Sequence, residues 1–324
     1  IAHDIISGSN MISILSNVLL EASENTLRIQ ATDLKVSFQT QIPIETEVPG
    51  STTVTCDKFL NVLRSLPEGD VDFELIDNRL VITRKKERIN FKLRCISPQD
   101  YPAFHTCDEK TLTVGAKDFA EMIEQTIISV SDDETRFYMN GVYMEPGQNS
   151  LIMVSTDGRK LSYIERQLDQ NIPFFEPIII PPKFLNLIKK ISSKEGTIDI
   201  AVTDTHVFAD FDSHRLSSTL INGKYPNYKR VIPKNQTNIC KISSKSLLEA
   251  LKRVSLLVDQ KSRRVLLDID QDSMMLSSEE HDLGTAKEQL NCSYSGEPMR
   301  IVINCQYLIN PMRVIHAEEV VLAF

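Results

Sequence analysis

The amino-acid sequence predicts an α+β protein built from three repeated domains. Strings in the first part of the chain recur about 125 residues later, and a weaker third copy follows. Amphipathic helical patterns stand at matched places in the copies. The strand-like segments between them are joined by connections too short for parallel crossovers. Each domain is therefore expected to pack two helices on a curved antiparallel sheet.

The repeat is supported by several ordered matches at nearly one offset. The matched strings are KFLN at 58–61 and 183–186, ATD at 31–33 and STD at 155–157, and YP at 101–102 and 225–226. A solenoid unit has roughly 20–50 residues, so a period this long indicates duplicated domains instead. We expect the domains to span residues 1–106, 107–234 and 235–324. The first is expected to lack its first helix and the third its C-terminal strands.

Each repeat predicts its helices and strands in the same order. Apolar residues at i, i+3 and i+4 spacing predict helices at 57–66, 117–128, 183–190, 245–253 and 306–313. Alternating apolar and polar residues predict strand hairpins at 71–84 and 197–211 and a final strand at 319–324.

The charge balance argues against a general nucleic-acid coat protein. The 324 residues carry 36 Lys and Arg against 44 Asp and Glu, a formal net charge of −8. Phosphate neutralisation requires clustered cations. The five helical windows, however, contain ten Lys or Arg and five Asp or Glu. This segregation predicts a basic helical face, although helices also carry such residues on ordinary solvated faces.

Several function classes find no support in the sequence. No GxGxxG or GxxxxGK[ST] string occurs, and no nucleophile elbow or catalytic triad spacing stands out. The six cysteines never form CxxC and are interpreted as reduced thiols. No apolar run approaches the ~18–20 residues of a membrane span. We therefore expect a cytoplasmic protein that is not an enzyme, has no cofactor and does not bind a membrane.

One cluster of potential metal ligands is interpreted as structural. It contains Asp204, His206, Asp210, Asp212 and His214. These residues alternate along a predicted hairpin, which places them on its polar faces, and no Cys or carboxylate motif completes a ligand set. We expect no metal site.

Longer strings resemble one protein family. They are VSTDGRKL at 154–161, NGKYPNYKRVIP at 222–233, DETR at 133–136, LRSLPEG at 63–69 and LKRVS at 251–255. Together with the three repeats, they resemble the bacterial sliding clamps, the beta subunit of DNA polymerase III. The resemblance covers essentially the whole chain and implies the DNA clamp fold. It also implies a non-catalytic processivity factor whose head-to-tail homodimer forms a ring around duplex DNA. The alternative is a protein-interaction scaffold that does not encircle DNA.

The resemblance implies a ring whose size can be checked. Twelve inner helices at about 9 Å spacing give a hole roughly 25 Å wide after subtraction of the helix bodies. Duplex DNA is on the order of 20 Å across and would pass through. Because enclosure holds the ring on DNA, weak sequence-independent contacts suffice. The implied protein partners are the replicative polymerase, the clamp loader, and repair polymerases or mismatch-repair proteins.

Two sets of site residues follow from the resemblance. The implied DNA-binding residues are Arg64, Phe137, Tyr138 and Lys183, whereas Ser9 stands where some members have arginine. Tyr138 is alternatively a half-buried strand aromatic. The implied pocket for a hydrophobic partner peptide contains Met139, Thr156, Gly158, Arg159, Lys160, Leu161, Pro226, Arg230 and Val231. Taken alone, Thr156-Asp157-Gly158 is also typical of a plain turn.

Overall fold

The computed structural model describes residues 1–6, 13–168, 172–192, 195–279 and 284–324. The helices in these residues are α1 Ala2–Ile6, α2 Cys56–Ser65, α3 Ala116–Ile127, α4 Pro182–Ile191, α5 Ser244–Val254 and α6 Gln306–Val314. All five predicted helical windows are confirmed, and their ends differ by at most one residue. The sequence pattern does not predict α1, because five residues are too few to show a helical period. Within the described ranges, no helix has the length and apolar character that a membrane crossing requires.

The strands are short and numerous. In the first half they are β1 Asn17–Ser23, β2 Thr26–Thr32, β3 Val36–Pro43, β4 Gly50–Thr55, β5 Asp72–Ile76, β6 Arg79–Arg84, β7 Ile89–Ile96, β8 Leu112–Gly115, β9 Val142–Pro146, β10 Ser150–Thr156 and β11 Leu161–Gln167. In the second half they are β12 Ile178–Ile180, β13 Thr197–Val202, β14 His206–Phe211, β15 His214–Thr219, β16 Ile239–Ser243, β17 Arg264–Asp270, β18 Ser273–Ser278, β19 Lys287–Asn291, β20 Ser293–Ser295, β21 Met299–Asn304 and β22 Glu319–Ala323. One four-stranded sheet has the order β11-β10-β9-β12.

The chain divides into two compact units, and the first contains Ile1–Ile123, Glu134–Met153 and Glu165–Gly223. Its largest sheet has eleven strands in the order β5-β6-β7-β4-β1-β2-β3-β15-β14-β13-β8. The strands β3 and β15 join the first and second repeats and pair antiparallel, with Val36 opposite Ser218. Each of these strands completes the hydrogen bonds of the other, so neither is left as an open edge.

The repeated KFLN strings supply equivalent core residues to the first unit. Phe59 on α2 and Phe184 on α4 are 7% and 1% exposed. The helix α4 also buries Leu185, Leu187 and Ile188. It begins at Pro182, a residue that suits the first helical turn because the missing N–H would have no partner there.

The second unit contains Glu124–Asp133, Val154–Ile164 and Lys224–Phe324. Its own sheets have the orders β20-β16-β22 and β19-β18-β17-β21. The helix α5 places Leu247, Ala250, Leu251 and Val254 in one core with residues of these strands. The hydroxyl of Ser243 accepts a hydrogen bond from the Ser246 N–H at 3.3 Å and so caps the N-terminus of α5.

Candidate functional site

Two side chains fix the turn between β10 and β11. The Asp157 Oδ1 atom accepts hydrogen bonds from the N–H groups of Arg159 and Lys160, at 2.9 and 3.0 Å. The Thr156 hydroxyl accepts from the Gly158 N–H at 3.0 Å and donates to the Lys160 carbonyl at 2.8 Å. Gly158 has a φ of +85°, in the left-handed region that favours glycine. The conformation of this turn therefore depends on Thr156, Asp157 and Gly158 together.

The matching string of the first repeat forms the same turn between β2 and β3. The Asp33 Oδ1 atom accepts from the N–H groups of Lys35 and Val36 at 2.9 and 2.7 Å. The Thr32 hydroxyl accepts from the Leu34 N–H at 3.0 Å and donates to the Val36 carbonyl at 3.2 Å. The Thr-Asp pair thus encodes a turn in both repeats. Any binding specificity must come from the side chains around it.

The β10–β11 turn presents both charge and apolar surface. The Lys160 ammonium donates a hydrogen bond to the Ile128 carbonyl and lies 3.9 Å from Asp157 Oδ2. The Arg159 side chain is exposed, and Leu161 is half-buried at the start of β11. Lys160 is therefore held in place, whereas Arg159 extends into solvent.

Two tyrosine rings bring the second predicted pocket segment next to this strand. The ring of Tyr163 lies 5.9 Å from the ring of Tyr228, centroid to centroid. Tyr228 is 4% exposed and begins the 3-10 helix Tyr228–Arg230, with Pro226 half-buried before it. Arg230 is exposed, and Val231 is 66% exposed. The surface combines an aliphatic side chain, an aromatic ring and a guanidinium, which suits a short linear motif.

Sequence reasoning missed Tyr163 and Tyr228 as parts of this surface. The sequence offers only a weak indication that Tyr163 belongs to this surface. Tyr163 follows Leu161 by two residues, so the two side chains lie on the same face of β11. The predicted Met139 lies in the first unit, within the 3-10 helix Glu134–Met139, and is 4% exposed. It presents almost no surface to a ligand.

Arg64, Phe137 and Tyr138, three of the implied DNA-binding residues, all have solvent-accessible side chains. Arg64 is exposed in the last turn of α2. Phe137 is 53% exposed, and its ring meets the half-buried Tyr138 edge to face at 5.8 Å. Gly223 packs against this pair, since a Cβ atom there would lie 3.1 Å from the Tyr138 Cβ. Tyr138 belongs to a 3-10 helix, so its alternative assignment as a strand residue is wrong. Ser9 lies outside the described residues.

Lys183 is engaged within the protein. Its ammonium lies 2.6 Å from Asp33 Oδ2 and 2.8 Å from the Ile5 carbonyl oxygen, and the side chain is 39% exposed. The Lys183 ammonium adds positive charge near α4, and it donates its hydrogen bonds to α1 and to the β2–β3 turn.

The helices are more basic than the rest of the chain. They contain ten Lys or Arg and six Asp or Glu, whereas the remaining sequence contains 26 and 38. Several of these cations are in ion pairs, among them Lys183 with Asp33, Lys190 with Asp4, and Arg253 with Glu288. The hydrogen bond from Lys190 lowers the pKa of the Asp4 carboxyl. The helices are thus relatively basic, and the rest of the chain is acidic.

His206, Asp210 and His214 of the β14–β15 hairpin each contact a different partner. The His206 ring lies 5.1 Å from the His105 ring, and burial, followed by the charge of His105, lowers the pKa of His206. Asp210 pairs with Arg215 at 3.3 Å, and burial raises the pKa of Asp210. The His214 Nδ1 and the Thr40 hydroxyl are 2.9 Å apart. Among the described residues, no three His, Cys, Asp or Glu are grouped so that they could hold a metal.

Comparison with known proteins gives one consistent family. The N-terminal, central and C-terminal domain models of the DNA polymerase III beta subunit match residues 1–105, 113–227 and 229–324. The beta sliding clamp of Treponema pallidum is 40% identical over 328 residues, covering 100% of this chain and 88% of that protein.

Solved structures give the same result. The sliding clamp of Bacillus subtilis superimposes with a TM-score of 0.94 at 25% identity, covering 100% of this chain and 88% of the other. A sliding clamp of Bartonella birtlesii bound to griselimycin gives 0.91 at 26% identity, covering 98% and 87%.

Proposed function

Because this chain belongs to the DNA polymerase III beta subunit family, the beta sliding clamps, we propose that two copies close a ring around duplex DNA. The protein is a sliding clamp, a non-catalytic processivity factor in DNA replication, with three α+β clamp domains. We place the three domains at 1–106, 107–234 and 235–324, as the repeats predict. The protein acts in the cytoplasm.

The charge distribution supports the DNA-facing role of the helices. A closed ring stays on DNA by enclosure, so its inner surface needs only weak, sequence-independent attraction. The excess of cations on the helices supplies such attraction, and the acidic remainder of the chain repels phosphate elsewhere. Arg64, Phe137 and Tyr138 are the proposed DNA contacts. Lys183 contributes through its field more than through direct hydrogen bonds.

Open strand edges support the head-to-tail homodimer. Such an interface joins two different surfaces of the same chain. In the first unit, residues 89–94 of β7 pair with β6 on one side. On the other side of β7, β4 pairs only with the last two residues of that strand, which leaves 89–94 as an edge. In the second unit, β19 is the edge of its sheet. The exposed Lys92 and Arg94 make the edge of β7 basic, and we propose that this edge lies against β19 of the other copy.

The proposed partner pocket comprises the β10–β11 turn and the segment around Tyr228. Polymerases, the clamp loader and repair proteins would insert a short hydrophobic peptide beside Leu161, Pro226 and Val231. The exposed Arg159 and Arg230 would meet the acidic or carboxylate groups of that peptide. Met139, the remaining residue that the resemblance implies for the pocket, is 4% exposed within the first unit.

Retention on topologically closed DNA tests the ring directly. The protein is loaded by a clamp loader onto nicked circular DNA, the complex is purified by gel filtration, and half is then linearised. Sliding off free ends predicts retention on the circle and loss from the linear form. Equal retention on both forms would contradict enclosure. Absence from both, with peptide binding preserved, would favour the scaffold that does not encircle DNA.

A further inference from the structure

A polar groove of about 900 Å³ crosses the eleven-stranded sheet of the first unit. Directly opposite residues on six neighbouring strands form one row along it, in the order Leu19, Gln30, Gln39, Arg215, Asp210 and Asp199. Opposite residues of paired strands share a face, and all six line the groove. At the usual strand spacing the row is roughly 24 Å long, which matches about seven residues of extended chain.

Two buried glutamines occupy the centre of the row. The Gln30 amide donates a hydrogen bond to the Gln39 Oε1 atom at 3.0 Å, and each residue is 8% exposed. In the part of the chain that the structure describes, the Gln39 NH₂ group and the Gln30 Oε1 atom have no protein hydrogen-bond partner. Polar groups placed this deep require a partner from solvent or from a ligand. A donor beside an acceptor is the complement of a peptide group.

The segment that follows the first repeat forms one wall of the groove. The Tyr101 hydroxyl lies 3.2 Å from the Asn17 carbonyl oxygen and 3.3 Å from the Gln30 carbonyl oxygen. These contacts fix the segment against β1 and β2. Pro102 and Phe104 line the groove beyond Tyr101. The groove is therefore bounded by an anchored wall and exists without a ligand.

The groove carries an excess of negative charge. Its charged side chains are four carboxylates and two guanidiniums, namely Glu21, Asp199, Asp210, Asp212, Arg28 and Arg215. Both guanidiniums are already paired, Arg28 with Glu21 at 3.4 Å and Arg215 with Asp210 at 3.3 Å. Burial, and then the charge of Asp199, raises the pKa of Asp210 even beside Arg215. A cationic ligand would stabilise these carboxylates.

These features favour a basic ligand with the form of a chain. Small-molecule sites are mostly apolar, whereas this groove is open and polar. A nucleic-acid site requires clustered unpaired cations. We propose that the groove binds a basic segment of a partner protein in an extended conformation. Peptide groups of that segment bond to Gln30 and Gln39, and its Lys or Arg side chains pair with Asp210 and Asp212.

Fluorescence anisotropy of the full chain with a labelled basic peptide tests the proposal. The peptide has about ten residues, alternating lysine and threonine, so that it can span the row. We expect saturable binding, and no binding of the same peptide with glutamate in place of lysine. Saturation with a polymerase tail peptide, the ligand of the proposed pocket around the β10–β11 turn, should leave the Kd of the basic peptide unchanged. Displacement by the tail peptide, or binding of the acidic peptide, would overturn the proposal.

Three variants separate the groove from general attraction to an acidic protein. Asp210→Asn should raise the Kd about tenfold. Glu47→Gln removes one exposed carboxylate of the first unit outside the groove and should change the Kd less than about twofold. Gln39→Leu alters no charge and should raise the Kd about threefold or more, because a peptide group loses its partner. Equal effects of Asp210→Asn and Glu47→Gln, or an unchanged Kd in Gln39→Leu, would overturn the proposal.

Amide hydrogen exchange of the unmodified chain provides a readout that needs no variant. Ala103 and Thr106 are exposed residues that line the groove. Saturation with the basic peptide should slow exchange in residues 103–106, because the bound segment covers them. Unchanged exchange in these residues at saturation would place the peptide elsewhere and overturn the proposal.

Discussion

The ammonium of Lys183 lies 2.6 Å from the Asp33 carboxylate. This ion pair joins α4 of the second repeat to the β2–β3 turn of the first, within one compact unit. The same carboxylate also accepts two backbone hydrogen bonds of its own turn through its other oxygen. Lys183, which the family resemblance implies as a DNA contact, therefore has a structural role as well.

Replacing Lys183 should destabilise the first unit. Lys183→Met removes the bonds to Asp33 and to the Ile5 carbonyl, and we expect a loss of about 1–2 kcal/mol in the free energy of unfolding. Urea denaturation measures the loss. Lys58→Met is the matched control because Lys58 is the repeat counterpart and is exposed, so it should cost less than about 0.5 kcal/mol. Equal losses in both variants would contradict a special role for the Lys183–Asp33 pair.

The pocket assignment predicts a selective loss of peptide binding. Leu161→Ala combined with Arg230→Ala removes an apolar contact and an exposed cation, and we expect the Kd of a polymerase tail peptide to rise tenfold or more, about 1.4 kcal/mol. Calorimetry measures the affinity, and sedimentation should show an unchanged oligomer. Arg313→Ala, an exposed cation on α6, is the control. An unaltered peptide affinity in the double variant would discard the pocket.

The two equivalent turns should respond oppositely to a swap of residues. Gly158 and Leu34 occupy matched positions with φ of +85° and +74°. A left-handed conformation costs a residue with a side chain roughly 1–2 kcal/mol, so Gly158→Leu should lower stability by about that amount. Leu34 is 55% exposed, so Leu34→Gly relieves the strain with little loss of packing and should be neutral or stabilising. Chemical denaturation distinguishes these signs, and a destabilised Leu34→Gly would refute the argument.

His206 should make stability depend on pH. Its pKa is lowered in the native state by burial and by His105, so the native protein binds fewer protons than the unfolded chain below about pH 6.5. The contribution of His206 is therefore complete above that pH and is lost as the pH falls through the window beneath it. The groups around the ring are His105, Thr205 and Phe208.

Melting temperatures between pH 7.5 and 5.0 test this expectation. His206→Gln should flatten the decline on acidification. His316→Gln, which alters an exposed side chain in the second unit, should leave it unchanged. The same slope in His206→Gln and in the unmodified chain would assign the acid sensitivity to other groups.

The sequence by itself determined the repeats, the helices and the turns. Apolar spacing within 58–66 and 183–190 places Phe59 and Phe184 in the core, because an amphipathic helix on a globular domain turns its apolar face inward. The Thr-Asp strings specify matching turns for the same local reason, since each side chain bonds to backbone within four residues. The family also followed from such strings.

Only the tertiary structure decided which distant elements meet. The pairing of β3 with β15, the ring contact of Tyr163 with Tyr228 and the capture of Lys183 by Asp33 each join residues far apart in the sequence. The periodicity of apolar residues shows on which face of its own helix or strand a residue lies. It does not show which other helix or strand packs against that face. Packing, the pairing of strand edges and charge select those partners in the folded chain. For this reason Lys58 is exposed in the first repeat, whereas its counterpart Lys183 is bound to Asp33.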